Sequence, residues 1–414
     1  MSNQSTRLSN FPEAVSGKEG LTFSKLTVLM LIPIYLGRFQ ELWPVLRGAH
    51  IAQLATGVAF LLLLFSPINI SEESRLMASF KQVRYILWMI LLGFASVPFS
   101  VWKGGSFNFM IDFLKNTVFV FLIIICASEE ADRKRISWTL ILTILVLMIF
   151  AAVSPRLVED GRISVTGTYD TNDFALLIIM SFPLTYALMQ LQRTFLKVFL
   201  AGVLLLMVIT VLKTGSRGGF LSLLFVIGII LYRRGAKFVF AMVPLAVIFA
   251  VLISLTVSDS SWRRLATTFH PADDYNVTAK EGRIEVWKRG ITIMCENPVL
   301  GSGPGTFTVA EGLAHEGGKW SAAHNSFVQI GAELGVSGLA LFILILYSSL
   351  ASVRQRDGTS RWFEQGVEVG LYAFCVGGFF LSWAYSYAFY FFIALSIVSV
   401  KTRQLAGPAE SAAR

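Results

Sequence analysis

Residues 322–346 read AAHNSFVQIGAELGVSGLALFILIL, and this stretch sets the fold class. A polar start holding His324, one of only four histidines, gives way to an apolar run long enough to cross a hydrocarbon core of about 30 Å. Runs of this kind recur along all 414 residues, which are 55% hydrophobic with a mean hydropathy of +0.65. An ordinary soluble domain is less apolar than this. Runs are read at about 24–37, 48–68, 83–102, 109–128, 136–153, 172–191, 195–213, 216–232, 236–257, 326–350, 364–383 and 385–400, the last two sharing a tight turn near Trp383 and Ala384. They predict an all-α integral membrane protein of about twelve transmembrane helices. Residues 1–414 then form a single polytopic membrane domain, and residues 258–323 form one large loop within it.

Basic residues orient the chain. One set of connecting loops carries Arg75, Lys81, Arg84, Arg133, Lys134, Arg135, Arg193, Lys197, Arg233, Arg234, Lys237, Arg354, Arg356 and Arg361. Both tails add more, including Lys25 and Lys401, while the short loops opposite hold only Arg38, Arg47, Lys103, Arg156, Arg162, Lys213 and Arg217. This asymmetry places both termini in the cytoplasm. The net charge of +9 is then a topological signal and calls for no nucleic acid. The polar first residues predict no cleaved signal peptide. Cys126, Cys295 and Cys375 are not expected to form a structural disulfide.

The large outer loop carries Arg263, Arg264, Lys280, Arg283, Lys288, Arg289 and Lys319, which the charge rule tolerates in a long translocated loop. Within it, EGRIEVWKRGITIMCENP (Glu281–Pro298) places Ile284, Trp287, Ile291 and Met294 on one helical face. Asn297 and Pro298 stop that helix, which is expected to lie on the membrane surface or to cap a cavity. GSGPGTF (Gly301–Phe307) follows no strand and is expected to open no helix, so a flexible turn is expected in place of half a dinucleotide fingerprint. Two short outer elements are polar as well. LKTGSRGGFLSLL (Leu212–Leu224) confines Lys213, Ser216 and Arg217 to a tight turn. TGTYDTNDFALL (Thr166–Leu177) brings Asn172 and Asp173 to the start of a span, where either can cap it.

Each residue has a plain structural reading. Arg217 can snorkel to lipid phosphates, Arg283 can sit on a solvated face, and His324 can start a helix while bonding a loop carbonyl. Lys288, Arg289, Arg263 and Arg264 read as solvated or lipid-facing cations. His315 and Glu316 lack the spacing that would make a metal site with His324, so no metal is expected. Taken together they favour chemistry. Guanidinium forks at the interface suit phosphate oxygens, and an imidazole can take a proton from an attacking hydroxyl. A lipid-linked pyrophosphate sits at this depth. Outside the cytoplasm there is no ATP, so a transferase there needs a donor already activated.

GSRGGF, then GRIEVWKRGITIMCENPVLGSGPGTF, then AHNSFVQIGAELGVSGLALF resemble the O-antigen ligase and polymerase superfamily of bacterial inner membranes, over roughly residues 160–350. The resemblance implies a membrane glycosyltransferase type of fold that works without a nucleotide sugar, a metal or another cofactor. It makes Arg217, Arg283 and His324 the functional positions, the arginines binding pyrophosphate and the histidine acting as base. Asn325, Lys288, Arg289, Lys213 and Asn172 are the expected supporting residues. The implied partners are an undecaprenyl-pyrophosphate-linked glycan, a lipid A–core lipopolysaccharide acceptor and membrane lipids. A ligase working on the periplasmic face is expected, because a single large loop fits it better than a polymerase. A protein O-oligosaccharyltransferase is a third option. A transporter is disfavoured, because the chain shows no corresponding halves and the polar residues gather at one face instead of the midplane.

Overall fold

The computed structural model describes residues 22–46, 48, 50–65, 70–153, 158–159, 162–165, 169–237, 240, 259–266, 279, 282–315, 320–354 and 361–411. In chain order the helices are α1 (Phe23–Tyr35), α2 (Phe39–Leu42), α3 (Ile51–Leu64), α4 (Ile70–Ser79), α5 (Lys81–Ser96), α6 (Lys103–Cys126), α7 (Glu130–Val153) and α8 (Thr171–Gln190). They continue with α9 (Thr194–Lys213), α10 (Arg217–Arg234), α11 (Asp259–Ala266), α12 (Arg283–Glu296), α13 (Phe307–Ala314), α14 (Ser326–Arg354), α15 (Arg361–Gly377) and α16 (Tyr387–Ser411). Among the described residues the only sheet is an antiparallel pair, β1 (Val158–Glu159) and β2 (Arg162–Ile163). The chain is an all-α membrane protein. Each apolar run of the sequence coincides with a helix, except the run at 236–257, which lies almost wholly outside the described residues. Among the described helices, α6, α7, α8, α9, α14 and the segment Lys81–Phe99 are each long and apolar enough to cross a membrane.

Helix α8 is the centre of the bundle. Residues 174–185 are buried without interruption, the pattern of a helix enclosed on all sides. Its hydroxyls bond its own backbone, Ser181 Oγ to Leu177 O at 2.9 Å and Thr185 Oγ1 to Ser181 O at 3.0 Å, so burying them leaves no unmet donor. Against it lies α15, whose glycines permit a close approach: a Cβ on Gly366 would stand 2.8 Å from Leu184 Cα. Helix α9 faces outward instead, with Phe195 83% and Val198 67% exposed, as a lipid-facing surface requires.

At one end of the bundle, charges predicted to lie in loops are buried and paired. Lys25 donates to Asp132 at 3.1 Å, Arg133 lies 3.3 Å from Glu364, and the fully buried Lys401 meets Glu73 at 2.8 Å. Lys401 also donates to the carbonyls of Ile124 and Ile125, at 2.9 and 3.0 Å, at the end of α6. These cations thus tie α1, α4, α6, α7, α15 and α16 together.

Helix α14 is not the continuous span that the sequence suggests. Gly335 adopts φ 69° and ψ −170°, which breaks the helix. The segment between α12 and α13 fills the break: Ser302 N–H donates to Ala332 O (2.9 Å), Gly303 N–H to Glu333 O (2.9 Å), and Val336 N–H to Pro298 O (2.7 Å). GSGPGTF is therefore a buried inserted loop and not a flexible turn, and contrary to the sequence reading a helix, α13, opens from its last residue, Phe307. Gly301, Ser302, Gly303 and Pro304 are all buried, and Ser96 Oγ donates to Leu300 O at 2.7 Å. Irregular backbone inside a membrane bundle survives where neighbouring protein meets its polar groups, and here each half supplies the other.

Candidate active site

At the end of the bundle opposite those ion pairs, four chain segments meet on one connection. This connection follows α15 as a 3-10 turn at Gly378–Phe380 and runs through Leu381–Ser386 into α16.

The first segment is the turn between α9 and α10. Ser216 caps α10 by accepting from Gly219 N–H at 3.1 Å, which leaves Arg217 as the first helical residue, half-buried. Gly218 is packed so closely that a Cβ there would stand 2.7 Å from Phe380 Cβ. Arg162 of β2, not singled out in the sequence as a site residue, donates its Nε to Thr214 O at 3.0 Å. Leu265 of α11 is buried against Leu212, the residue before Lys213, so α11 covers the end of α9. The side chain of Arg264, along with Lys280 and Lys319, lies outside the described residues.

The second segment is α12, whose first residue is Arg283, half-buried like Arg217. One turn later the Trp287 indole donates to Ala323 O at 2.9 Å and its ring meets Phe379 edge-on, with centroids 5.1 Å apart. The helix forms where the sequence places it and stops at Asn297, but its packed face is Val286, Gly290 and Ile293. Ile284 and Ile291 remain 39% and 47% exposed. Gly290 decides this rotation, since a Cβ there would stand 2.5 Å from Val328 Cγ1. Arg289 is not a solvated cation. It pairs with the fully buried Glu311 of α13, Nε to Oε1 at 2.8 Å, while Ser321 N–H donates to Oε2 at 2.9 Å. Lys288 is exposed and pairs with Glu285 at 2.7 Å, which holds that carboxyl below its usual range.

The third segment is His324–Ser326. His324 takes the left-handed conformation at φ 46° and donates its backbone N–H to Ser382 Oγ at 2.8 Å. Histidine is one of the few non-glycine residues found there with any frequency. Asn325 is buried and occupied as the cap of α14, its Oδ1 accepting from Phe327 and Val328 N–H at 2.9 and 3.1 Å. Ser326 Oγ donates to Leu381 O and accepts from Trp383 N–H, at 2.7 and 2.9 Å.

The fourth is the start of α8. Neither Asn172 nor Asp173 caps it; Asp170 does, accepting from both their N–H groups at 2.7 and 2.8 Å. The Asp173 carboxylate is thereby left to bond the Trp383 side chain. The Tyr169 ring lies 6.4 Å from that of Trp383, beneath the Arg38 guanidinium at 5.1 Å, and burial pushes its phenol pKa up. Tyr169, Asp173, Ser382 and Trp383 were not picked out as site residues in the sequence. Their roles depend on contacts between segments far apart in the chain.

Arg217, Arg283 and His324 thus stand on three elements packed around residues 378–383. The starts of α8, α10, α12 and α14 converge there as well. A helix N-terminus is electropositive and disfavours a cation in its first turn, yet α10 and α12 both open on arginine. Two like charges placed against the helix dipole favour an anion at these helix starts, and His324 stands on a third element packed on the same connection.

Residues 202–343 match the O-antigen ligase family model, a region that contains Arg217, Arg283 and His324. No curated protein matches the chain. The match covers about a third of the chain, and its boundaries leave out Asn172 and the connection at 378–383.

Proposed function

We propose that this protein transfers a glycan from undecaprenyl pyrophosphate to a lipid A–core acceptor, on the periplasmic face of a bacterial inner membrane, with both termini cytoplasmic. The observation that carries this reading is the pair of half-buried arginines at the first positions of α10 and α12, both helices packed on the connection that also binds the His324 backbone. In this reading Arg217 and Arg283 clamp the pyrophosphate, whose oxygens match the guanidinium fork. An acceptor hydroxyl attacks the anomeric carbon as the bond to pyrophosphate oxygen breaks, and a ring nitrogen of His324 takes the hydroxyl proton. The arginines hold the departing pyrophosphate as an anion, so the leaving side needs no acid. A single displacement inverts the anomeric centre. The reading uses no metal or cofactor.

The supporting residues divide by what they touch. Lys213 ends α9 and Asn172 lies in the first turn of α8, and both are assigned to the glycan or the phosphates of the donor. Lys288, exposed on α12, is assigned to attracting the donor in a salt-dependent way. Asn325 and Arg289 act through the helix cap and through Glu311. The test is a transfer assay with purified protein, a lipid-linked glycan and rough lipopolysaccharide, read on a gel. A ladder of glycosylated lipopolysaccharide supports the ligase. Extension of the lipid-linked glycan alone makes the protein a polymerase. Flux across liposomes without transfer would overturn the enzyme reading.

A further inference from the structure

We propose that Glu333 is a positioning residue that sets Arg283 and His324 relative to each other through α13; this inference rests on the transfer reading above. Glu333 is 1% exposed and lies two residues before the break in α14. Its carboxylate leaves its own helix and reaches the start of another: Oε2 accepts from Gly305 N–H at 3.0 Å and Oε1 from Phe307 N–H at 3.2 Å. Thr306, at the N-cap of α13, makes no side-chain cap bond, so Glu333, 26 positions beyond Phe307, supplies the cap. A carboxylate at a helix N-terminus also gains from the helix dipole.

Helix α13 passes this constraint in two directions. Its Glu311 binds Arg289, six residues beyond Arg283 on α12, and also accepts from Ser321 N–H, three residues before His324. Glu333 therefore fixes one end of a short rigid rod whose middle touches both proposed functional arms. The backbone of the same residue secures the inserted loop, since Glu333 O accepts from Gly303 N–H. Glycine is needed at Gly303 and Gly305, with φ 108° and 71°, and a Cβ at Gly305 would stand 2.5 Å from two ring carbons of Phe109. Nothing in the chemistry of transfer requires a carboxylate here. Its role is to hold geometry, and it touches no reacting atom.

Two measurements on the full-length protein in nanodiscs test this. In Glu333→Gln the amide keeps one acceptor and turns its NH₂ toward the second backbone donor. Hydrogen exchange of peptides spanning 282–296 and 301–314 should then lose protection, while peptides from α8 and α15 keep theirs. Binding of undecaprenyl pyrophosphate should weaken about tenfold, the equivalent of one lost charge-assisted hydrogen bond. In an Arg283→Ala background the same substitution should change binding less than about twofold, because the contact it positions is gone. A merely structural defect would weaken both backgrounds alike, and that result overturns the proposal, as does unchanged protection at 282–314. Should Glu333→Gln not fold, Glu333→Asp, one methylene shorter, is measured in the same way and held to the same outcomes. If the wild type binds no undecaprenyl pyrophosphate, the transfer reading fails, and exchange at 282–314 still decides whether Glu333 anchors both arms.

Discussion

Replacing Arg289 by methionine removes a guanidinium from a carboxylate that has almost no other recourse. Glu311 is 0% exposed, its Oε1 is held by Arg289 at 2.8 Å, and among the described residues its Oε2 has only the Ser321 N–H. Breaking a buried pair from one side costs about 3–5 kcal/mol, because the remaining charge stays buried without its partner. The Arg289 side chain is itself 19% exposed, so water can reach the vacated space and the lower end, about 3 kcal/mol, is expected. That is a large share of a typical total of about 5–15 kcal/mol. The double variant Arg289→Met/Glu311→Gln removes the charge and leaves an acceptor for Ser321, so it should recover most of the loss. The assay is unfolding in mixed micelles titrated with SDS, followed by tryptophan fluorescence. If Arg289→Met instead unfolds within about 0.5 kcal/mol of the wild type, the range of an ordinary surface substitution, Arg289 is a solvated cation and the stapling argument fails.

Arg217→Ala and Arg283→Ala should each lower transfer by about 10²–10³, and lysine at either position should restore only part of it, since the bidentate contact is lost; full activity in both lysine variants would reduce the clamp to simple surface charge. His324→Ala should lower the rate by about 10²–10⁴ with undecaprenyl pyrophosphate binding retained, as titration of binding alongside turnover will show; lost binding would make the histidine a phosphate ligand. Asn325→Ala should cost about 1 kcal/mol of stability by uncapping α14, and Asn325→Asp should lose much less. Gly335→Ala should destabilise by more than about 1 kcal/mol, because a side chain there meets strained backbone at φ 69° and runs into Pro298 O.

Much of this architecture is legible in the sequence because bilayer thickness and helical rise leave few alternatives for a long apolar run. The same run hides the break at Gly335, since one glycine among apolar residues reads as tolerated until the partner loop that takes its neighbours' hydrogen bonds is seen. Arg217, Arg283 and His324 each carry a local motif, and a tight turn near Trp383 and Ala384 was legible; that the three stand around that turn was not, because Phe379, Phe380 and Ser382 read only as the end of a span. Asp170 caps α8 where Asn172 and Asp173 were equally plausible, a choice that backbone conformation makes and composition does not. The Arg289–Glu311 pair joins residues 22 apart across two helices, beyond the reach of any helical spacing rule. Ile284 and Ile291 were placed on the right helix but on a face one residue out of step, because Gly290 marks the close contact and has no hydrophobicity to reveal it.

The arginines that open α10 and α12 have a consequence for what happens after transfer. In the transfer proposed above, the terminal phosphate gains a free oxygen once the glycan has left, so the lipid product would carry more negative charge than the donor it came from. A region of fixed positive charge, reinforced by two helix N-termini, will hold that product at least as firmly as it held the donor. Attraction that speeds bond breaking then works against turnover. If that reading holds, departure of the spent carrier lipid, and not sugar transfer, is expected to set the pace, and raised salt should speed multiple turnovers while slowing the first.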